Sequence, residues 1–268
     1  VHIAGASTNI NHARISFTGD TVSCANNGGT SDSFFFHMGA GTLTRSEILL
    51  ESVVFTNPTS GTRGTASFFL INGGATVQYN TISFTTFTAT LSATTGSEDF
   101  AVRLEGSTTF ENNYMSITDS AVSITNPTST DLGLLNIALS TLLQNWTLTV
   151  RNTTLDITGD ATTANHYFVR HTSTGHIDGH SAFEFANSTF THPELTDPTK
   201  LVMFSVANTV SNTLFRISEG SVVDIQPYVC VFCPSASTTF NNNAVEIDGS
   251  TVPGVIVLPT TSSYDHLV

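Results

Sequence analysis

YNTISFT at residues 79–85 and NNYMSIT at 112–118 carry the same order of residue types. Each opens on polar residues suited to a corner, runs apolar–polar–apolar and ends in Thr. The order recurs as HARISFT at 12–18, NTTLDIT at 152–158, NSTFTHP at 187–193, GSVVDIQ at 220–226 and NNAVEID at 242–248, with LLESVVFT at 49–56 as a poorer eighth copy. Its first apolar slot falls at Ile15, Val53, Ile82, Met115, Leu155, Phe190, Val223 and Val245, in steps of 38, 29, 33, 40, 35, 33 and 22 residues. A motif returning near a common interval of about 33 residues is the mark of a solenoid. Two places strain the register: His192 occupies an apolar slot, and VSITNPTS at 122–129 echoes VVFTNPTS at 53–60.

Two further strand-like runs lie between successive copies. One is dense in large apolar residues: SFFFHM at 33–38, SFFLIN at 67–72, FAVRL at 100–104, LLNIAL at 134–139, YFVR at 167–170, VMFSV at 202–206, VCVF at 229–232 and VIVL at 255–258. The other alternates, as in ATVQY at 75–79, STTFE at 107–111, TLTVR at 147–151, AFEFA at 182–186, LFRIS at 214–218 and STTFN at 237–241. Period-two alternation predicts strands with one buried face, and continuous apolar runs predict more deeply buried ones. Glycines 39, 41, 73, 74, 106 and 179 fall between these runs, as tight corners require. The expectation is an all-β, right-handed parallel β-helix of about eight coils with three strands per coil, a single domain over residues 1–268. Asn112, Asn152, Asn187 and Asn242 at the motif's corner are expected to stack as one hydrogen-bonded amide ladder.

Composition narrows the function. Charged residues make up 11% of the chain, Lys200 is its single lysine, and the net charge is −13. Solubility therefore rests on Ser, Thr and Asn, and a phosphate backbone or an anionic membrane surface would find no basic footprint. No apolar run is long enough to span a bilayer as a helix. The chain starts at Val1, so it is read as processed or as a segment of a longer protein. Cys24, Cys230 and Cys233 offer no paired zinc spacing; a local disulfide within C-V-F-C, or two buried thiols, fits better.

The repeated coil resembles the pectin-lyase-like right-handed β-helix superfamily over essentially the whole chain. The Ser/Thr/Asn-rich copies are also similar to kinetoplastid surface proteins of the dispersed-gene-family type. The first resemblance implies a β-helix and admits polysaccharide-cleaving activity; the second implies a cell surface. Hydrolases of the first group resemble one another in clustered aspartates on adjacent coils, including an Asp-Asp pair that this sequence lacks. The lyases use basic residues beside calcium-binding acids, whereas Arg103, Arg151, Arg170 and Arg216 here lie in separate strands. Arg103 and Arg170 hold similar strand positions, which reads as surface spacing.

The best candidate for chemistry is T-G-H-I-D-G-H at 174–180, where alternation in an extended strand would put His176, Asp178 and His180 on one face as metal-ligand types. Gly179 instead suggests a solvated turn, and the sequence implies no cofactor. Asn145, Asn152 and Asn187 begin N-x-S/T acceptors; an inward-pointing ladder amide at Asn152 or Asn187 could carry no glycan. Trp146 and Tyr79, Tyr114, Tyr167, Tyr228 and Tyr264 are too dispersed in sequence to decide whether any form a sugar-stacking surface. The leading expectation is an extracellular structural or adhesive surface protein, or filament subunit, that associates end to end or with flanking repeats, glycans being conceivable partners. A carbohydrate-active β-helix enzyme with atypical catalytic residues is the alternative.

Overall fold

A computed structural model describes residues 1–3, 8–23, 34–57, 67–92, 98–126, 131–159, 165–172, 174–191, 201–224, 229–234, 238–252, 254–256 and 266–267. Among these there is no helix. Their strands fall into four parallel sheets of nine, eight, nine and seven strands, each joined to the equivalent strand of the next coil. The fold is a parallel β-solenoid, and a coil contains four strands where the sequence suggested three. One central coil runs Glu98–Gly106 in the first sheet, Thr109–Glu111 in the second, Tyr114–Thr118 in the third and Ala121–Asn126 in the fourth.

The fourth strand explains the uneven steps read from the sequence. The first eight strands of the third sheet begin at residues 14, 47, 81, 114, 147, 182, 214 and 244, in steps of 33, 34, 33, 33, 35, 32 and 30, and a short ninth follows at His266. The third and fourth sheets both follow a polar corner and both read x-apolar-x-apolar, so the motif occurs twice per coil. The eight slots consequently divide. Ile15, Ile82, Met115 and Val245 belong to the third sheet, in one column with Ile48, Leu148, Phe183 and Phe215. Leu155, Phe190 and Val223 belong to the fourth, beneath Val122. Val53 sits at the corner between them, fully buried. The runs at 147–151, 182–186 and 214–218 likewise lie in the third sheet, not beside 75–79 and 107–111 in the second.

Stacking of like on like fills the interior. Phe36 lies on Phe69 with centroids 4.9 Å apart and planes 10° off parallel, and Phe183 on Phe215 at 5.4 Å and 12°. Each such side chain, removed from water, contributes roughly 1.5–3 kcal/mol.

The corners solve the polar side of the problem. Two rows of non-glycine residues adopt positive φ: His12, Arg45, Tyr79, Asn112, Asn145, His180, Asn212 and Asn242 between the second and third sheets, and Ser52, Thr86, Asp119, Asn152, Asn187 and Glu219 between the third and fourth. Asn tolerates the left-handed region better than most side chains, which accounts for its frequency there. The expected amide ladder is therefore two outer rows, with Asn112 and Asn242 in one and Asn152 and Asn187 in the other. Asn145 donates to Asn112 at 3.0 Å and Asn187 to Asn152 at 2.7 Å. One residue further on, a second set points inward. Ser46 N–H donates to Asn80 Oδ1 at 2.8 Å, and Asn80 N–H to Asn113 Oδ1 at 3.0 Å. Phe87 N–H donates to Ser120 Oγ at 3.0 Å and Thr153 N–H to Ser188 Oγ at 3.0 Å. Between the first and second sheets glycine does this work. Gly73 has φ +65°, and a Cβ there would lie 2.0 Å from the Gly39 carbonyl oxygen of the neighbouring coil.

Leu155 is fully buried and paired between Val122 and Phe190. Leu155→Asp should cost several kcal/mol through an unpaired buried charge and leave the chain unfolded, to be read as loss of the cooperative thermal transition.

Candidate functional site

The His176–Asp178–His180 triplet does not converge. The strand Ile177–Asp178 ends at once, and the backbone turns through Gly179 and His180 at φ 70° and 63°. Alternation stops there, so it cannot align His180 with His176 and Asp178 on one strand face. Asp178 Oδ1 accepts from Gly179 N–H at 2.7 Å and from Asn212 Nδ2 at 2.8 Å. Its carboxylate thus anchors one end of an outer amide row, which continues through Asn212 to Asn242. Among the described residues no group of three or more His, Cys, Asp or Glu side chains gathers at a metal-holding distance.

All three N-x-S/T asparagines are exposed at positive-φ corners, with φ of 47°, 50° and 43° for Asn145, Asn152 and Asn187. Their amides point outward; the inward ladder uses the next residue along. Cys230 and Cys233 form a disulfide with Cα atoms 5.9 Å apart, beside a register shift between Cys230 and Phe232. Cys24, His192, Tyr228 and Tyr264 lie outside the described residues.

Arg103 and Arg170 align in the first sheet through Asn136, as their spacing suggested. They are not surface charges, however. Their side chains are 10% and 15% exposed, held by Glu105 at 2.5 Å and Asp131 at 3.1 Å. Phe100 stacks on Tyr167 across the intervening strand, and the Arg170 guanidinium lies 5.5 Å and 5.4 Å from the two ring centroids. Gly133 between them makes this approach possible, since a Cβ there would meet the Phe100 ring at 2.6 Å. The cluster closes the outer face of the sheet where its strands are longest.

On the third sheet the ion pairs are more open. Arg216 contacts Glu246 at 2.5 Å and Glu184 at 3.7 Å, and Arg151 pairs with Glu219. The hydrogen bond that Arg216 donates to Glu246 raises the Arg216 pKa, and those that Arg151 donates to Glu219 raise the Arg151 pKa, each opposed by partial burial. Solvated pairs of this kind contribute little to stability.

The corner between the second and third sheets gathers what the sequence scattered. Tyr79 and Tyr114, 56% and 43% exposed, lie on neighbouring coils of this one corner. Tyr79 follows the strand Thr76–Gln78 and Tyr114 opens the strand Tyr114–Thr118, whose first residue pairs with Thr81. Tyr79 lies two residues before Thr81, so it and Tyr114 are diagonal neighbours on adjacent coils. The Arg45 guanidinium sits 5.9 Å from the Tyr79 ring centroid. Further along the same corner a groove of about 360 Å³ runs across three coils, with His180, Asn212 and Asn242 on one side and Ala182, Leu214 and Ala244 on the other. Only the three-dimensional winding puts residue 79 beside residue 114 and in line with residue 214. Trp146, by contrast, is fully buried against Phe110 and Phe183.

No protein family, curated protein or solved structure matches the chain.

His171 has a strongly lowered pKa. It points inward from the first sheet, 2% exposed, and its Nδ1 accepts the Ala207 N–H at 3.4 Å. Burial pushes its pKa down to about 4, against an opposing backbone interaction at Gly175. A folded-state pKa below the unfolded value means the unfolded chain binds the proton more readily. Stability is full above about pH 6.5 and falls as pH drops towards about 4, by up to about 1.4 kcal/mol per pH unit. His171→Leu should flatten the dependence of unfolding free energy on pH between about 6.5 and 5; an unchanged slope in denaturant titrations would contradict the assignment.

Proposed function

We propose that the chain is an extracellular structural or adhesive rod that joins end to end, either to further coils of its own chain or to other copies. The observation that carries this reading is the first coil. Its inward residues Ile10, Ile15, Phe17 and Val22 pack on the core yet stay only partly buried. Their counterparts one coil on, Leu43, Ile48, Leu50 and Phe55, are fully buried. Completing those columns takes one more coil, and an open strand edge with unpaired backbone groups is a template for one.

The setting has separate supports. A Cys230–Cys233 disulfide fits an oxidising compartment, and the Ser/Thr/Asn surface fits a secreted or cell-surface rod. Right-handed winding is favoured because parallel strand connections take that hand almost without exception. Kinship with pectin-lyase-like β-helices, or with kinetoplastid dispersed-gene-family surface proteins, draws on the repeated coil and its polar composition. The four-strand coil is a departure from the three strands per coil read from the repeat.

Electron microscopy and light scattering test the assembly. The purified chain should form rods whose lengths are multiples of about 40 Å, eight coils at the strand spacing. Replacing Phe17 with Asp should reduce association while leaving the thermal transition in place. Dispersed single rods at high concentration would overturn the reading.

A further inference from the structure

We infer that the corner between the second and third sheets is a binding edge for an uncharged glycan chain lying along the rod. The inference rests on the adhesive half of the proposed function and names its ligand class.

Tyr79 is the starting point. In the same row Asn fills positions 112, 145, 212 and 242, where the backbone takes φ between 47° and 54°. A bulky aromatic side chain is disfavoured in that region, and strain of this kind concentrates at working sites. Here Tyr79 keeps φ at 58° and leaves its ring 56% exposed, so it gains little from packing. Tyr114 stands beside it, also exposed, and these are the two large exposed aromatics among the described residues. Each presents an apolar ring face with a hydroxyl at its tip, a combination suited to a ligand with alternating C–H and O–H surfaces.

The rest of the edge continues the same chemistry. The amides of Asn112 and Asn145 follow, then the groove walled by Asn212 and Asn242 above the short side chains of Ala182 and Ala244. From 79 to 242 the positive-φ row carries no acid. The two acids in the strand column beside it are occupied: Glu111 accepts from Gln78 Nε2 at 2.9 Å, and Asp178 from Asn212. An acidic polysaccharide would meet a protein of net charge −13 with two small clusters of arginine already ion-paired. A peptide is disfavoured for another reason. Strand addition needs free backbone groups, whereas Tyr79 N–H is bonded to Glu111 O at 3.2 Å and Tyr114 N–H to Asn80 O at 2.9 Å.

The test is retention of the full chain on immobilised neutral polysaccharides (a β-glucan, a mannan and a galactan), with polygalacturonate and an unrelated extended peptide alongside. The wild-type chain should be retained on at least one neutral polysaccharide and on neither control. Tyr79→Asn and Tyr114→Ser should each weaken retention about tenfold, equivalent to about 1.4 kcal/mol, and Ala182→Arg should weaken it by obstructing the groove. Tyr79→Asn should keep or raise the melting temperature, because Asn suits the backbone there; a purely structural tyrosine would lower it. No retention on any neutral polysaccharide, retention unchanged in the Tyr79→Asn/Tyr114→Ser variant, or preference for polygalacturonate or the peptide would overturn the inference. Rods that assemble without binding glycan would sink this inference alone, and binding by chains that never assemble would sink end-to-end joining alone.

Discussion

A parallel solenoid must bend its chain several times per coil without leaving buried backbone N–H groups unsatisfied, and here side chains of the following coil satisfy them. Ser46 N–H reaches Asn80, and Asn80 N–H reaches Asn113. The amide of Asn80 turns back to Leu43 O at 3.0 Å and that of Asn113 to Val77 O at 2.9 Å. One Asn thereby ties three coils, and an interior that is otherwise hydrophobic tolerates the bend. An unmade bond at such a position costs about 1–3 kcal/mol, so the identity of the corner residue constrains coil length. Near-constant steps along the third sheet follow from this, because a slipped coil would lose its corner partner as well as its apolar stack.

Much of this architecture is legible in the residues. YNTISFT and NNYMSIT reveal the coil because alternation and corner chemistry coincide within seven residues. What the pattern conceals is that a coil has two equivalent corners. NTTLDIT at 152–158 looks like another copy of NNYMSIT, yet Leu155 stacks on Val122 in the fourth sheet while Met115 stacks on Leu148 in the third. Residue types alone cannot separate the two, since both corners demand a left-handed residue, an inward polar residue and then alternation. Spacing could have done so: TLTVR at 147–151 restores a 33-residue step after Tyr114–Thr118.

The candidate edge was less legible, for a different reason. Tyr79 and Tyr114 are far apart in sequence, and their adjacency depends on register, the property most easily misjudged. The histidine-rich stretch at 174–180 misled in the opposite direction. Its residues are close in sequence, but two successive positive-φ residues at Gly179 and His180 break the alternation that would have aligned them. Burial was equally hidden for Arg103 and Arg170, whose charges suggested a surface while their sheet is covered along its outer face by aromatic stacking and ion pairs.

The register is the claim on which the corner ladders, the glycan edge and the open first coil all depend, and paired cysteines test it most directly. In this winding Ser116 faces Thr149 across one strand spacing of about 4.8 Å, inside the range a disulfide can bridge. The alternative winding, with Met115 followed by Leu155, would set Ser116 beside Asp156. Mild oxidation and peptide mass analysis should therefore show a cross-link in Ser116→Cys/Thr149→Cys and none in Ser116→Cys/Asp156→Cys. The reverse pattern would contradict the account.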